Sequence, residues 1–321
     1  MSIYCVTHKP VNLPESTDLN LIQVGDSEAD IAPLRDNKGD HIAEKNETYS
    51  ELTALYYIWK NQPTDIVGFC HYRRFLLPPG IQGLNEAAPL KPFVECQTEG
   101  DGKGNYASGR MVEHDSLTKL FEGGDDLQSR FGQLLQNHSI VLPVRNELPE
   151  GDMIYQYTTS HPASSIFALL QVLSERDHYL GKAAYEYFRS AGHAHWNNLF
   201  VTKWPIFDQY CSFLFDILFE LESRLNLPVC TYQRRVFAFL SERLLNFWVW
   251  FNELSVAEVE WCLIEEQYVN DHEAHHNNPA TQQIFNADWR KNKRLIKNQI
   301  GLCDADWNKR VIERCDAGEP I

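Results

Sequence analysis

Apolar and polar positions fall into short blocks along this chain, and the period of the pattern changes from block to block. Ile3-Tyr-Cys-Val-Thr predicts a strand almost at residue one, followed by the polar cluster Thr7-His8-Lys9-Pro10. Leu19 to Val24 predicts a second strand, and Arg35-Asp-Asn-Lys-Gly-Asp-His is a loop dense in turn formers. Thr48-Tyr-Ser-Glu51 has the spacing of a capping box. Leu52, Leu55, Tyr56 and Trp59 recur behind it at helical spacing, so a helix is expected over about 49–61. Ile66 to Cys70 is a short apolar run that predicts a buried strand, and it ends abruptly in His71-Tyr72-Arg73-Arg74. Strand, strand, loop, helix, strand is the order of an α/β domain with a largely parallel sheet.

Residues 76–108 are rich in Pro, Gly, Asn and Glu, which predicts a long loop or flap. Helical spacing returns over about 113–121 and 127–136, and Ser139-Ile-Val-Leu-Pro143 predicts another strand. A helix is expected after Ser160-His-Pro, with Ile166, Leu169, Leu170 and Leu173 on one face. Trp196 to Thr202 reads as a strand, Pro205 to Leu225 as an amphipathic helix, and Tyr232 to Trp250 as a further helix. From residue 255 the pattern is polar and mostly helical. The expected division is an α/β domain over 1–254 and a polar helical appendage over 255–321.

Composition narrows the class. The chain has 321 residues, 43% hydrophobic and 23% charged, enough apolar material for a sizeable core. No apolar run reaches the roughly 18 residues that span a bilayer. The start lacks the basic and apolar segments of a signal peptide, so a cytoplasmic protein is expected. Eight cysteines are scattered without CxxC spacing and are expected to be small buried hydrophobes rather than disulfides or a zinc site. A net charge of −15 argues against nucleic acid as a partner. Arginines concentrated at one strand end of an acidic chain point instead to an anionic ligand.

Six groups of residues could carry chemistry. His71, Arg73 and Arg74 would clamp a phosphate or diphosphate, since Arg binds phosphate oxygens bidentately; the alternative is a pair of surface salt bridges. Asp36, Asp40 and Glu44 in the turn-rich loop would hold a divalent cation or sugar hydroxyls, or form a solvated turn. Thr7, His8 and Lys9 close the first strand, where α/β proteins place nucleotides, but also suit a β-turn before Pro10. There is no GxGxxG and no GxxxxGK[ST]. His193, His195, Asn197 and Asn198 could bind metal, line a sugar site, or be satisfied loop groups. Arg235, Glu242 and Asn246 fall near one stripe of an otherwise apolar helix, which makes Glu242 either half of a buried ion pair or a catalytic carboxylate. His272-Glu-Ala-His-His276 has chelating spacing, and equally the look of a solvated helix face.

Four segments occur together in one order: Asp36 to Asn46, Tyr49 to Asn61, Gly68-Phe-Cys-His-Tyr-Arg-Arg-Phe, and Val236 to Trp248. In combination they resemble a bacterial family of formerly unknown function found in capsular-polysaccharide and O-antigen gene clusters, which includes galactofuranosyltransferase domains. The resemblance covers about residues 1–250 and implies a glycosyltransferase similar to the GT-A type. Such a fold is an open, mostly parallel sheet flanked by helices, here with a helical C-terminal region. It implies hexosyl transfer, with inversion, from a nucleotide-sugar, a UDP-sugar such as UDP-galactofuranose, to a glycan or lipid-linked glycan acceptor. Peripheral membrane contact stays open. On that reading Glu242 and His71 are catalytic. Thr7, His8, Lys9, Asp36, Asp40, Glu44, Arg73 and Arg74 bind the donor, and His195, Asn197, Asn198 and Arg243 bind the acceptor. GT-A enzymes hold Mn²⁺ or Mg²⁺ on an Asp-x-Asp after a central strand. Here that strand ends in His71-Tyr-Arg-Arg, so arginine is expected in the metal's role, with Asp36 and Asp40 as fallback ligands. A phosphohydrolase or phosphotransferase, and a non-catalytic glycan-binding or scaffold protein, are the alternatives.

Overall fold

The structure is a computed structural model that describes residues 1–11, 19–25, 30–79, 91–95, 107–112, 127–148, 152–227 and 232–264. Strand β1 (Ser2–Thr7) lies between β2 (Leu19–Gln23) and β4 (Ile66–His71), parallel to both, and β3 (Leu34–Arg35) extends the parallel set beyond β2. The register places His71, Val6, Ile22 and Leu34 in one row. All four strands therefore end on one edge of the sheet, where ligands of open α/β folds bind. Apolar side chains make these strands: Ile3, Tyr4, Cys5, Val6, Ile22, Val67, Phe69 and Cys70 are all buried.

Beyond β4 the sheet turns mixed. Strand β11 (Phe200–Lys203) runs antiparallel to both β4 and β8 (Ile140–Pro143). Strand β12 (Val256–Ile264) runs parallel to β8 and to β7 (Ala107–Val112), and β6 (Lys91–Glu95) is antiparallel to β7. Strand β5 (Arg74–Leu77) folds back from β4 and lies antiparallel to β12. Strands β4, β11, β8, β12 and β5 thus close into a hydrogen-bonded ring of five. The expected open, mostly parallel sheet holds for β1 to β4 only; the rest is mixed and closed on itself.

Three expectations are corrected. Residues 76–108 are no continuous flap, because they contain the end of β5, all of β6 and the start of β7. The expected strand over 196–202 starts only at Phe200, after a loop with Asn197 and Asn198 in left-handed conformation. The chain after 255 begins with a strand, not a polar helix: Ala257, Val259, Trp261, Cys262 and Leu263 are buried inside the sheet. The expected helix at 113–121, the histidines at 272–276 and all of 265–321 lie outside the described residues.

The helices pack against this frame. Helix α1 (Asn46–Tyr49) and helix α2 (Leu52–Asn61) are separated by Ser50, at φ 50°. Thr48 is not the expected cap: it lies inside α1 and its hydroxyl donates to the Lys45 carbonyl. Helix α3 (Leu127–Asn137) follows, then α4 (Met153–Ser160), α5 (Ala163–Arg176) and α6 (His178–Ser190). Asp152 and Asp177 cap α4 and α6 by accepting the Tyr155 and Leu180 N–H groups at 2.9 and 2.7 Å. A two-stranded ladder of β9 (Asn146–Glu147) and β10 (His193–Ala194) brackets this region. Helix α7 (Trp204–Glu222) packs on α2, where Phe215 stacks on Trp59 at 5.8 Å. Helix α8 (Val236–Phe251) is apolar almost all round and correspondingly buried. Its polar residues Ser241, Arg243 and Asn246 are buried too, so each needs a partner. Cys5, Cys70, Cys211 and Cys262 are free and buried. No helix among the described residues is long and apolar enough to cross a membrane.

Candidate functional site

Tyr72 donates its N–H to the Val6 carbonyl at 3.0 Å, which pins the β4–β5 hairpin over the end of β1. His8 then meets the Tyr72 ring edge-on, with centroids 5.3 Å apart, and the Arg73 guanidinium lies 5.4 Å from that ring's centre. Burial, and then Arg73, push the Lys9 ammonium below its ordinary pKa. Burial first, then Arg74, Arg73, His8 and Arg235, push His71 well below the usual imidazole range. His71 is therefore neutral, and its Nδ1 is buried with no hydrogen-bond partner among the described residues. Arg235 arrives from the start of α8: its Nε donates to Ser50 Oγ at 2.9 Å. Arg73, Arg74 and Arg235 thus act on one neutral imidazole, with Lys9 in the field of Arg73. Cations gathered at the ends of parallel strands give this edge a positive field, which favours an anionic ligand there.

Glu242 faces the same group from α8. Its Oε1 accepts the Asn197 backbone N–H at 2.9 Å and its Oε2 accepts from Arg243 Nη1 at 2.7 Å. Burial raises its pKa above the ordinary carboxylate value; Glu51 adds to the rise, while Arg243, the Asn197 N–H and Arg74 oppose it. Arg74 acts on both His71 and Glu242, the two expected catalytic residues. Asn197 Nδ2 is a further buried donor with no partner among the described residues.

Other expected site residues are spent on the protein itself. The Thr7 hydroxyl donates to the Lys9 carbonyl at 2.6 Å and accepts the Lys9 N–H at 3.1 Å, closing a tight turn that presents His8 and Lys9. Arg243 is 2% exposed. It also donates to the Phe239 carbonyl and to Gln156 Oε1, at 2.8 and 2.7 Å, and packs on the Trp196 and Tyr157 rings. It orients Glu242 instead of meeting an acceptor. His195 presents Nδ1 to Asn246 Oδ1 at 3.1 Å and Nε2 to Glu258 Oε1 at 2.9 Å, a strut between its loop, α8 and β12. Asn198 donates to Glu51 Oε1 at 2.8 Å and pairs with Ser241, also inside.

The acidic loop divides between the interior and the surface. Asp36 is fully buried where β3 ends, while Asp40 is exposed and accepts from the Tyr56 hydroxyl at 3.1 Å. Glu44 is an exposed partner of His41 at 3.6 Å. Among the described residues no three or more His, Cys, Asp or Glu side chains gather as a cation site. Asp36 and Asp40, one interior and one at the surface, do not fit as joint metal ligands.

Glu51 and Ser50 belong to the site but were hidden in the sequence. Their spacing from Thr48 imitates a helix cap, and nothing about a serine announces the left-handed backbone that turns Glu51 toward Asn198.

Parallel strands that gather cations at their carboxyl ends, with a carboxylate opposite, sit here on a mixed α/β fold that resembles a glycosyltransferase. The fold is similar to the apo structure of WbbM, a bifunctional glycosyltransferase, with a TM-score of 0.65 and 25% sequence identity over 82% of this chain. The chain spans 45% of that protein. The chain belongs to the family described as a domain of unknown function, DUF4422, whose model matches residues 2–253. No curated protein matches it.

Proposed function

We propose that the chain transfers a sugar from a nucleotide-sugar donor, a UDP-sugar such as UDP-galactofuranose, to a glycan acceptor in capsule or O-antigen synthesis. The observation that carries this reading is the convergence of Arg73, Arg74 and Arg235 on His71, with Lys9 in the field of Arg73 and Glu242 in the field of Arg74. The likeness to a glycosyltransferase supports the reaction class, and the donor and pathway rest on the sequence resemblance alone.

The cations would hold the donor diphosphate and stabilise the charge that grows on it as it leaves. Neutral His71 suits a hydrogen bond to the donor better than proton transfer, which moves it from catalysis to binding. Glu242, made more basic than an ordinary carboxylate, would take the acceptor hydroxyl's proton. The acceptor oxygen would bond to the anomeric carbon as the bond to the diphosphate breaks, UDP would leave with the electron pair, and the configuration would invert. Asn197 Nδ2, a buried donor with no partner among the described residues, would donate to that acceptor hydroxyl.

One pair of variants tests this. Glu242→Gln is expected to lower kcat by about 10²- to 10⁴-fold with UDP affinity unchanged. Arg73→Ala is expected to weaken UDP binding by about 10- to 100-fold in calorimetry, the loss of one charge-assisted contact. Full turnover in the first, or wild-type affinity in the second, removes that residue from its role. Hydrolysis of the donor at full rate without acceptor points to a phosphohydrolase, and no UDP binding at all points to a glycan-binding protein.

A further inference from the structure

Two carboxylates hang on the Asn197–Asn198 turn. Asn197 gives its backbone N–H to Glu242 Oε1 at 2.9 Å, and Asn198 gives Nδ2 to Glu51 Oε1 at 2.8 Å. The asparagines have φ of 74° and 52°, a left-handed conformation that asparagine adopts more readily than most residues. Successive residues thereby hand donors to two different carboxylates. Asn198 Nδ2 donates to Ser241, next to Glu242, at 2.9 Å, which ties the turn to α8. Glu51 is steadied from behind by Arg235, whose Nη2 lies 4.0 Å from Glu51 Oε2. The side chains are only 15% and 18% exposed for Glu51 and Glu242. Two like charges so placed repel, and Glu51 acts on Glu242 in that sense.

We propose that Glu51 is a positioning residue for Glu242: fixed by Asn198, it keeps the base beside a second negative charge and so keeps it basic. This rests on Glu242 being the base of glycosyl transfer. The groups that act on Glu242 are Arg243 on its own helix, Arg74 from β5, Glu51 at the head of α2, and the Asn197 N–H. Tyr157 on α4 and Tyr210 on α7 also lie within its field, and burial pushes both phenols up, so they stay neutral. Glu51 is the one acid in that set, and its removal has a definite sign.

The test is a ¹³C NMR titration of the Glu242 carboxyl in the full chain, assigned against E242Q, together with the pH profile of kcat/KM. In E51Q the Glu242 midpoint is expected to fall, the acid limb of the rate profile to move down by the same amount, and the donor KM to stay. R235Q, which strips Glu51 of its counter-charge, is expected to move the midpoint up. An unmoved midpoint in E51Q overturns the pairing; should E51Q not fold, an unmoved or lowered midpoint in R235Q overturns it equally. Full turnover in E242Q overturns the assignment of the base alone, so the two failures are told apart.

Discussion

His161 lies under α8 with its ring 4.0 Å from that of Phe239 and its Nδ1 3.1 Å from Gln233 Oε1. Burial, and then Arg243, push its pKa down to about 3. The folded imidazole is therefore neutral where the unfolded one, with a pKa of about 6.5, takes a proton. Its contribution to stability is fully present above about pH 6.5 and is lost as pH falls, by about 1.4 kcal/mol per unit from this one group. His71, pushed down in the same direction, adds to the trend. The melting temperature is expected to drop between pH 7 and 5, and the drop to be shallower in His161→Gln; an identical slope in that variant would remove His161 as a cause. At this scale the sequence reveals residue type but not whether a polar side chain is already engaged. His71, Arg73, Arg74 and Glu242 were legible because charge stood out against apolar surroundings. Arg243, His195 and Asn198 share that contrast, yet their polar atoms serve the interior.

Strand β4 depends on having no side chain at Gly68. That residue sits opposite Ile3 of β1, and a Cβ there would meet Ile3 Cγ1 at 2.9 Å. Gly68→Ala is expected to destabilise by about 1–3 kcal/mol in urea unfolding, as overpacking does. Ile3→Ala in the same chain is expected to recover part of that loss, a coupling that two independent sites would not show. The elements themselves were well foreshadowed where periodicity was long: β1, β4, α5, α7 and α8 form where the pattern places them. Strand β12 was missed although Val256-Ala-Glu-Val-Glu-Trp alternates, because the polarity of the whole tail masked a short run of period two. The capping box at Thr48 to Glu51 failed for a different reason. Glu51 found a tertiary partner, and local pattern carries no information about a residue nearly 150 positions away.

For the whole molecule, β12 is the strand that joins the two halves of the sheet. It touches β8, β5 and β7, yet the family match ends at residue 253, just before it. A chain cut after Leu254 contains the matched region but lacks this strand, and is expected to show no cooperative thermal transition. A sharp, native-like transition from that fragment would mean that the ring is dispensable.

The ring also sets a timetable. Arg74, in the site, is paired with Leu263 on β12, about 190 residues later in the chain. At roughly 5–20 residues per second of synthesis, that partner follows about 10–40 s behind. The arginine hairpin leaves the ribosome early and waits with one edge unpaired until nearly all the described chain exists. Such long-range pairing folds slowly and exposes an edge to other chains meanwhile. Activity would therefore be acquired late in synthesis, when β12 docks, and the nascent protein is a natural client for chaperones until then.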